Sequence, residues 1–145
     1  VLRVVLDTNV FVSSLLNKTG APARLMDAWR VGAYVLVTSP PIMAEIKAVL
    51  ELPRIRGKYA LTDDDIRQVL DLLEKDAIVV PGRSHVGNVI TQDPSDHMFQ
   101  SCTLEAGADV IVSGDRHLLS LKAFEGIPIM PVMQFLDRLA EQSMP

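Results

Sequence analysis

Arg3-Val4-Val5-Leu6-Asp7-Thr8-Asn9-Val10-Phe11 is the stretch from which the fold of this chain can be read. Val4, Val5 and Leu6 are consecutive apolar residues without polar alternation, the pattern of a strand buried on both faces. Asp7 follows at once, at the carboxyl end of that strand, the edge where open α/β sheets assemble their sites. Asp is also a favoured helix N-cap. On this stretch alone Asp7 therefore reads either as a cap for the next helix or as a site residue.

Working outward, the same arrangement returns in Val110-Ile111-Val112-Ser113-Gly114-Asp115, an apolar strand, a small-residue turn and an acid. Between the two, helical and strand patterns alternate. Val10 to Leu16 reads as a helix. Pro22 opens a second, with Leu25, Met26 and Trp29 on one face. Tyr34 to Val37 is a strand, and Pro40-Pro41 starts a helix with the stripe Ile42, Ile46, Val49 and Leu50. Leu52-Pro53 breaks it, and a connection carrying Arg54, Arg56 and Lys58 follows. Thr62 caps a further helix whose first turn holds Asp63, Asp64 and Asp65, where the helix dipole favours acids. Ala77 to Val80 is a third strand, residues 81–92 a long polar loop, and Asp93-Pro94-Ser95-Asp96 leads into a helix ending at Ala106. After the fourth strand come a short helix, Arg116 to Leu121, a fifth strand, Ile127 to Met130, and a last helix, Val132 to Ala140. The alternation predicts one domain over residues 1–145, a three-layer α/β/α sandwich with a mainly parallel sheet.

Composition is consistent with this. The 145 residues suffice for one buried core, and 48% hydrophobic with 5% aromatic residues makes that core aliphatic. A net charge of −4 argues against holding nucleic acid by bulk attraction, though a cluster of metal-binding carboxylates would itself make the total negative. The one cysteine, Cys102, rules out an internal disulfide, argues against a structural zinc site and reads as a small buried hydrophobe. No stretch reaches the ~20 apolar residues of a membrane span. Val1 to Val12 is interrupted by Arg3 and Asp7, unlike a signal peptide. A soluble, cytoplasmic protein with no membrane partner is the expectation.

Two further acids need explaining. Glu45 lies about 40° from Val49 on a helical wheel, at the edge of the buried stripe rather than on the solvated face. Asp96 begins a helix and reads equally as a first-turn acid. Asp7, Glu45, Asp96 and Asp115, if held close, would repel one another and raise their pKa values unless a cation offset them. Mg²⁺ or Mn²⁺ takes such oxygen ligands, and can activate water and stabilise charge on a phosphoryl group.

At this point the motifs carry a resemblance. Leu6-Asp7-Thr8-Asn9-Val10, Glu45 in the third helix, Asp93-Pro94-Ser95-Asp96 before Phe99, and Val112-Ser113-Gly114-Asp115 resemble, in order, the successive acidic motifs of the PIN-domain family. The nearest branch is that of toxin components of type II toxin–antitoxin pairs. The resemblance implies a Mg²⁺- or Mn²⁺-dependent endoribonuclease cleaving single-stranded RNA, with Asp7, Glu45, Asp96 and Asp115 as the acidic quartet that binds metal. It implies a cognate antitoxin as partner, and a homodimer as a common assembly. Asp93 would orient the turn or assist. His97 and His117 depart from the family, standing where acids are common, and both read as exposed helix residues. Arg54, Arg56, Lys58 and Arg116 are candidates to guide RNA, although the first three read equally as a solvated basic loop.

Other readings fit less well. A non-catalytic PIN-like module binding RNA or protein is the main alternative. A phosphatase of the haloacid dehalogenase type needs a second Asp where Asn9 stands. A receiver domain needs a lysine after its last strand, and residues 127–133 contain none. No GxGxxG or GxxxxGK[ST] occurs.

Overall fold

The computed structural model describes residues 1–82 and 94–142, with the backbone alone at 94–96. Six strands form its sheet: β1 (Arg3–Leu6), β2 (Val35–Thr38), β3 (Ile78–Val79), β4 (Val110–Val112), β5 (Ala123–Phe124) and β6 (Ile127–Met130). Their order is β3-β2-β1-β4-β6-β5, parallel throughout except for the β5–β6 pair. Helices lie on both sides of the sheet, as the unalternated strands demand. Val4, Val5, Val110, Ile111 and Val112 are all essentially inaccessible, at the centre of the core.

The helices are α1 (Thr8–Leu16), α2 (Gly20–Arg30), α3 (Pro40–Glu51), α4 (Pro53–Lys58), α5 (Asp63–Asp76), α6 (Pro94–Ala106), α7 (Arg116–Leu121) and α8 (Val132–Gln142). Leu25, Met26 and Trp29 are buried on α2, and Ile42, Ile46 and Leu50 on α3, the faces expected from their spacing. Gly107 closes α6 with φ of +60°, a left-handed position where glycine carries no Cβ penalty.

Two short elements escape the sequence pattern. The connection after Leu52 is helical. Pro53 holds Leu52 extended, which ends α3, and then serves as the first residue of α4, where its missing N–H is no loss. The strand β5 forms a hairpin with β6 around Glu125-Gly126, both with positive φ, the backbone of a tight two-residue turn. A glutamate in the first of those positions, where Asn or Asp is usual, hides the turn.

At the start of α5 the capping box is complete. Thr62 Oγ1 accepts from Asp65 N–H at 3.1 Å, and Asp65 Oδ2 accepts from Thr62 N–H at 2.9 Å. The acidic run is thus accounted for by helix termination. Thr62→Ala is expected to lower unfolding stability by about 1 kcal/mol, read as a lower urea midpoint at unchanged slope. A shift within error would show the cap to be dispensable.

Candidate active site

The strand order reverses direction between β1 and β4. From β1 the chain proceeds outward through β2 and β3, and from β4 outward through β6 on the other side. Such a switch point opens a crevice beyond the carboxyl ends of the two strands. The two strand-end acids lie there. Leu6 pairs with Val112, so Asp7 and Ser113 follow side by side, and Asp7 N–H donates to Val112 O at 3.0 Å. Asp7, Asn9, Val10, Ser13, Pro22, Gly114, Asp115 and Val132 line a cleft of about 350 Å³ at this point.

A chain of hydrogen bonds links the two acids. Asp7 Oδ1 accepts from Val10 N–H at 2.8 Å, which makes Asp7 the N-cap of α1. Asp7 Oδ2 accepts from the Ser113 hydroxyl, and Ser113 Oγ accepts from Asp115 N–H at 3.0 Å. Asp115 Oδ1 in turn accepts from His117 N–H at 2.7 Å and caps α7. The cap and site readings are therefore not exclusive: each acid caps a helix while facing the cleft.

Their environments differ. Asp7 is only 6% exposed, whereas Asp115 is exposed. Burial pushes the Asp7 carboxyl above the ordinary range, opposed by its bonds from Ser113, Val10 and Gly114, and the negative charge of Asp115 adds to the rise. The cleft thus holds one buried acid reluctant to ionise beside one solvated acid.

Glu45 is half-buried on the second turn of α3, and its Oε2 is shielded from solvent. This agrees with its stripe-edge position in the sequence. Because α3 follows β2, its first turns stand at the carboxyl edge of the sheet, the same edge as Asp7. Asp96 is the third residue of α6, and its backbone lies in that helix. Its side chain, together with Asp93, His85 and most of the polar loop, lies outside the described residues. Among the described residues no three His, Cys, Asp or Glu side chains gather closely enough to hold one ion. The structure therefore brings Asp7 and Asp115 together and does not by itself add Glu45 to them.

The basic cluster is not at this edge. Twelve residues of α3 run about 18 Å away from it before α4 begins. There Arg56 pairs with Asp63 at 2.8 Å, and the Lys58 ammonium lies 5.4 Å from the centre of the Tyr59 ring. Arg54, Arg56 and Lys58 thus behave as a solvated basic helix. Arg116, exposed and next to Asp115, is the remaining cation of the four at the cleft end of the sheet. His97 and His117 are both exposed, as expected. Cys102 is fully buried, and burial pushes its thiol up to about 12, so it is inert.

Sequence reasoning gave no role to Ser113, Ser13, Pro22 or Val132. Ser113 could have been found from register, since it follows β4 as Asp7 follows β1. Pro22 and Val132 come from α2 and α8, whose placement is purely tertiary, and Ser13 lies on α1, which Asp7 itself caps.

Fold and site together define a three-layer α/β/α domain with paired carboxylates at the switch point. The chain belongs to the PIN domain family, whose sequence model matches residues 3–117. PIN domains are generally nucleases. The uncharacterised protein MJ1680 of Methanocaldococcus jannaschii is 31% identical over 121 residues, covering 83% of this chain and 76% of its own. Among solved structures, VapBC2 from Rickettsia felis bound to a DNA fragment from its promoter aligns with a TM-score of 0.54 at 12% identity, over 90% of this chain and 98% of the other. That likeness is one of fold.

The donor set suits the divalent ion that the family implies. Asp7 and Asp115 offer hard carboxylate oxygens, and the Asp7 carboxylate keeps acceptor capacity beyond the bonds it takes from Ser113, Val10 and Gly114. A cation would offset the burial and the repulsion from Asp115 that raise the Asp7 carboxyl.

Proposed function

We propose that this chain, as a single PIN domain over residues 1–145, is a metal-dependent endoribonuclease that cleaves single-stranded RNA and acts as the toxin of a toxin–antitoxin pair in the cytoplasm. The observation that carries this reading is the pairing of buried Asp7 with solvated Asp115 in one cleft at the β1–β4 switch point. In the proposal Asp7, Asp96 and Asp115 hold Mg²⁺ or Mn²⁺, and Glu45 assists in holding it or orients the attacking water.

When bound, the ion supplies a lowered water pKa and a partner for charge developing on the phosphate. The chain's own residues do the rest. Asp7 and Asp115, locked through Ser113, present oxygens in a fixed arrangement. Val10, Pro22 and Val132 offer an apolar wall against which a nucleotide can lie. Arg116 supplies a phosphate contact that is blind to sequence. Family membership supports a nuclease, and the fold shared with VapBC2 supports an antitoxin partner, with a homodimer as part of the same reading.

The test is cleavage of end-labelled single-stranded RNA, with double-stranded RNA and single-stranded DNA for comparison, in Mg²⁺ or Mn²⁺ and in EDTA. Cleavage confined to single-stranded RNA and abolished by EDTA is expected. Mn²⁺ binding with no cleavage of any RNA would favour a non-catalytic PIN module that binds RNA or protein.

A further inference from the structure

Resting on the nuclease reading above, we propose that Ser113 is a positioning residue: its hydroxyl, clasped between β1 and β4, sets the two cleft acids as one unit for a single cation. The backbone of Ser113 has no need of that hydroxyl. Its N–H already donates to Met130 O at 3.1 Å, continuing the β4–β6 ladder. The residue is inaccessible and follows three apolar residues, a place where a small apolar side chain would serve packing equally well. A buried hydroxyl there is costly unless it is satisfied. It is satisfied twice, as donor to Asp7 Oδ2 and as acceptor from Asp115 N–H at 3.0 Å.

The consequence is orientational. The Asp7 carboxylate is held at one oxygen by α1, through Val10 N–H, and at the other by the end of β4. Two anchors from different elements fix its plane, which a single bond would leave free to swing about the broad terminal torsion of aspartate. The same hydroxyl fixes the backbone from which Asp115 projects. Partners that orient a ligating group in this way typically contribute tenfold to a hundredfold in metal affinity.

The experiment measures Mn²⁺ affinity by titration calorimetry on the metal-free protein for wild type, Ser113→Ala and Ser113→Cys, with circular dichroism to verify folding. RNA cleavage is measured in parallel. Ser113→Cys fills similar space with a weak donor, so it guards against a packing defect in the alanine variant. Both folded variants are expected to bind Mn²⁺ about 10- to 100-fold more weakly than wild type and to need correspondingly more Mn²⁺ for cleavage. Wild-type affinity in either folded variant overturns the role of Ser113 and leaves the nuclease reading standing. Absence of Mn²⁺ binding by the wild type overturns both.

Discussion

Asp7→Asn is expected to abolish RNA cleavage while making the metal-free protein more stable at neutral pH. Activity should fall by more than the ~10- to 100-fold that loss of a supporting partner costs, because a proposed ligand is removed outright. Stability moves the other way for a reason visible in the structure. Burial and the charge of Asp115 raise the Asp7 pKa despite three bonds that favour the ionised form. A carboxyl whose folded pKa lies above its unfolded value contributes stability that is fully present below the unfolded value, about 4. That contribution is lost as pH rises through the folded value. Toward neutral pH Asp7 therefore opposes folding.

Asparagine removes that penalty at little structural cost. It is as good an N-cap as aspartate, and its amide can donate to Ser113 Oγ, so that only the acceptor of the Ser113 hydroxyl proton is lost, which offsets part of the gain. The melting temperature of the variant should exceed that of wild type at pH 7, and the two should converge as pH falls toward 4. Saturating Mn²⁺ should raise the wild-type melting temperature, by the equivalent of about 2.7 kcal/mol at a hundred times Kd, and leave the variant unmoved. A variant that is less stable at pH 7 and still cleaves RNA would reduce Asp7 to a helix cap.

Phe135→Ala is expected to cost about 3 to 5 kcal/mol, a large part of the stability of a domain of this size. Phe135 is completely buried on α8, and its ring meets Tyr34 edge to face at 5.2 Å between centroids. Tyr34 donates its hydroxyl to Leu25 O at 2.9 Å, which ties α8 through the start of β2 to α2. The aromatic pair adds to the loss beyond area alone. Urea unfolding with the midpoint converted at the measured slope checks the value, and a change below about 1 kcal/mol would mean that α8 is peripheral. The result bears on the site, because α8 lies beyond the residues matched by the family model, yet its first residue, Val132, lines the cleft.

Strand periodicity, helix caps and the strand-end placement of Asp7 and Asp115 are local properties, written into a few consecutive residues, and they could be read directly. Unalternated Val4-Val5-Leu6 and Val110-Ile111-Val112 require helices on both faces, which leads to a parallel sheet. The position of Glu45 at the edge of the α3 stripe was legible for the same reason, since a helix repeats its faces every 3.6 residues. The hairpin at Glu125-Gly126 and the helix at Pro53 were not, because glutamate masks the first turn position and Pro53 after Leu52 reads as a break rather than as a new helix start. Tertiary structure alone decided that β1 and β4 are neighbours, and with that everything about the site that depends on distance. Register brought Ser113 beside Asp7, chain reversal carried Arg54, Arg56 and Lys58 to the far edge, and the packing of α2 and α8 delivered Pro22 and Val132 to the cleft. Residues more than a hundred positions apart carry no mutual signal in a single sequence. Only the free energy of burying both strands in one sheet brings them together.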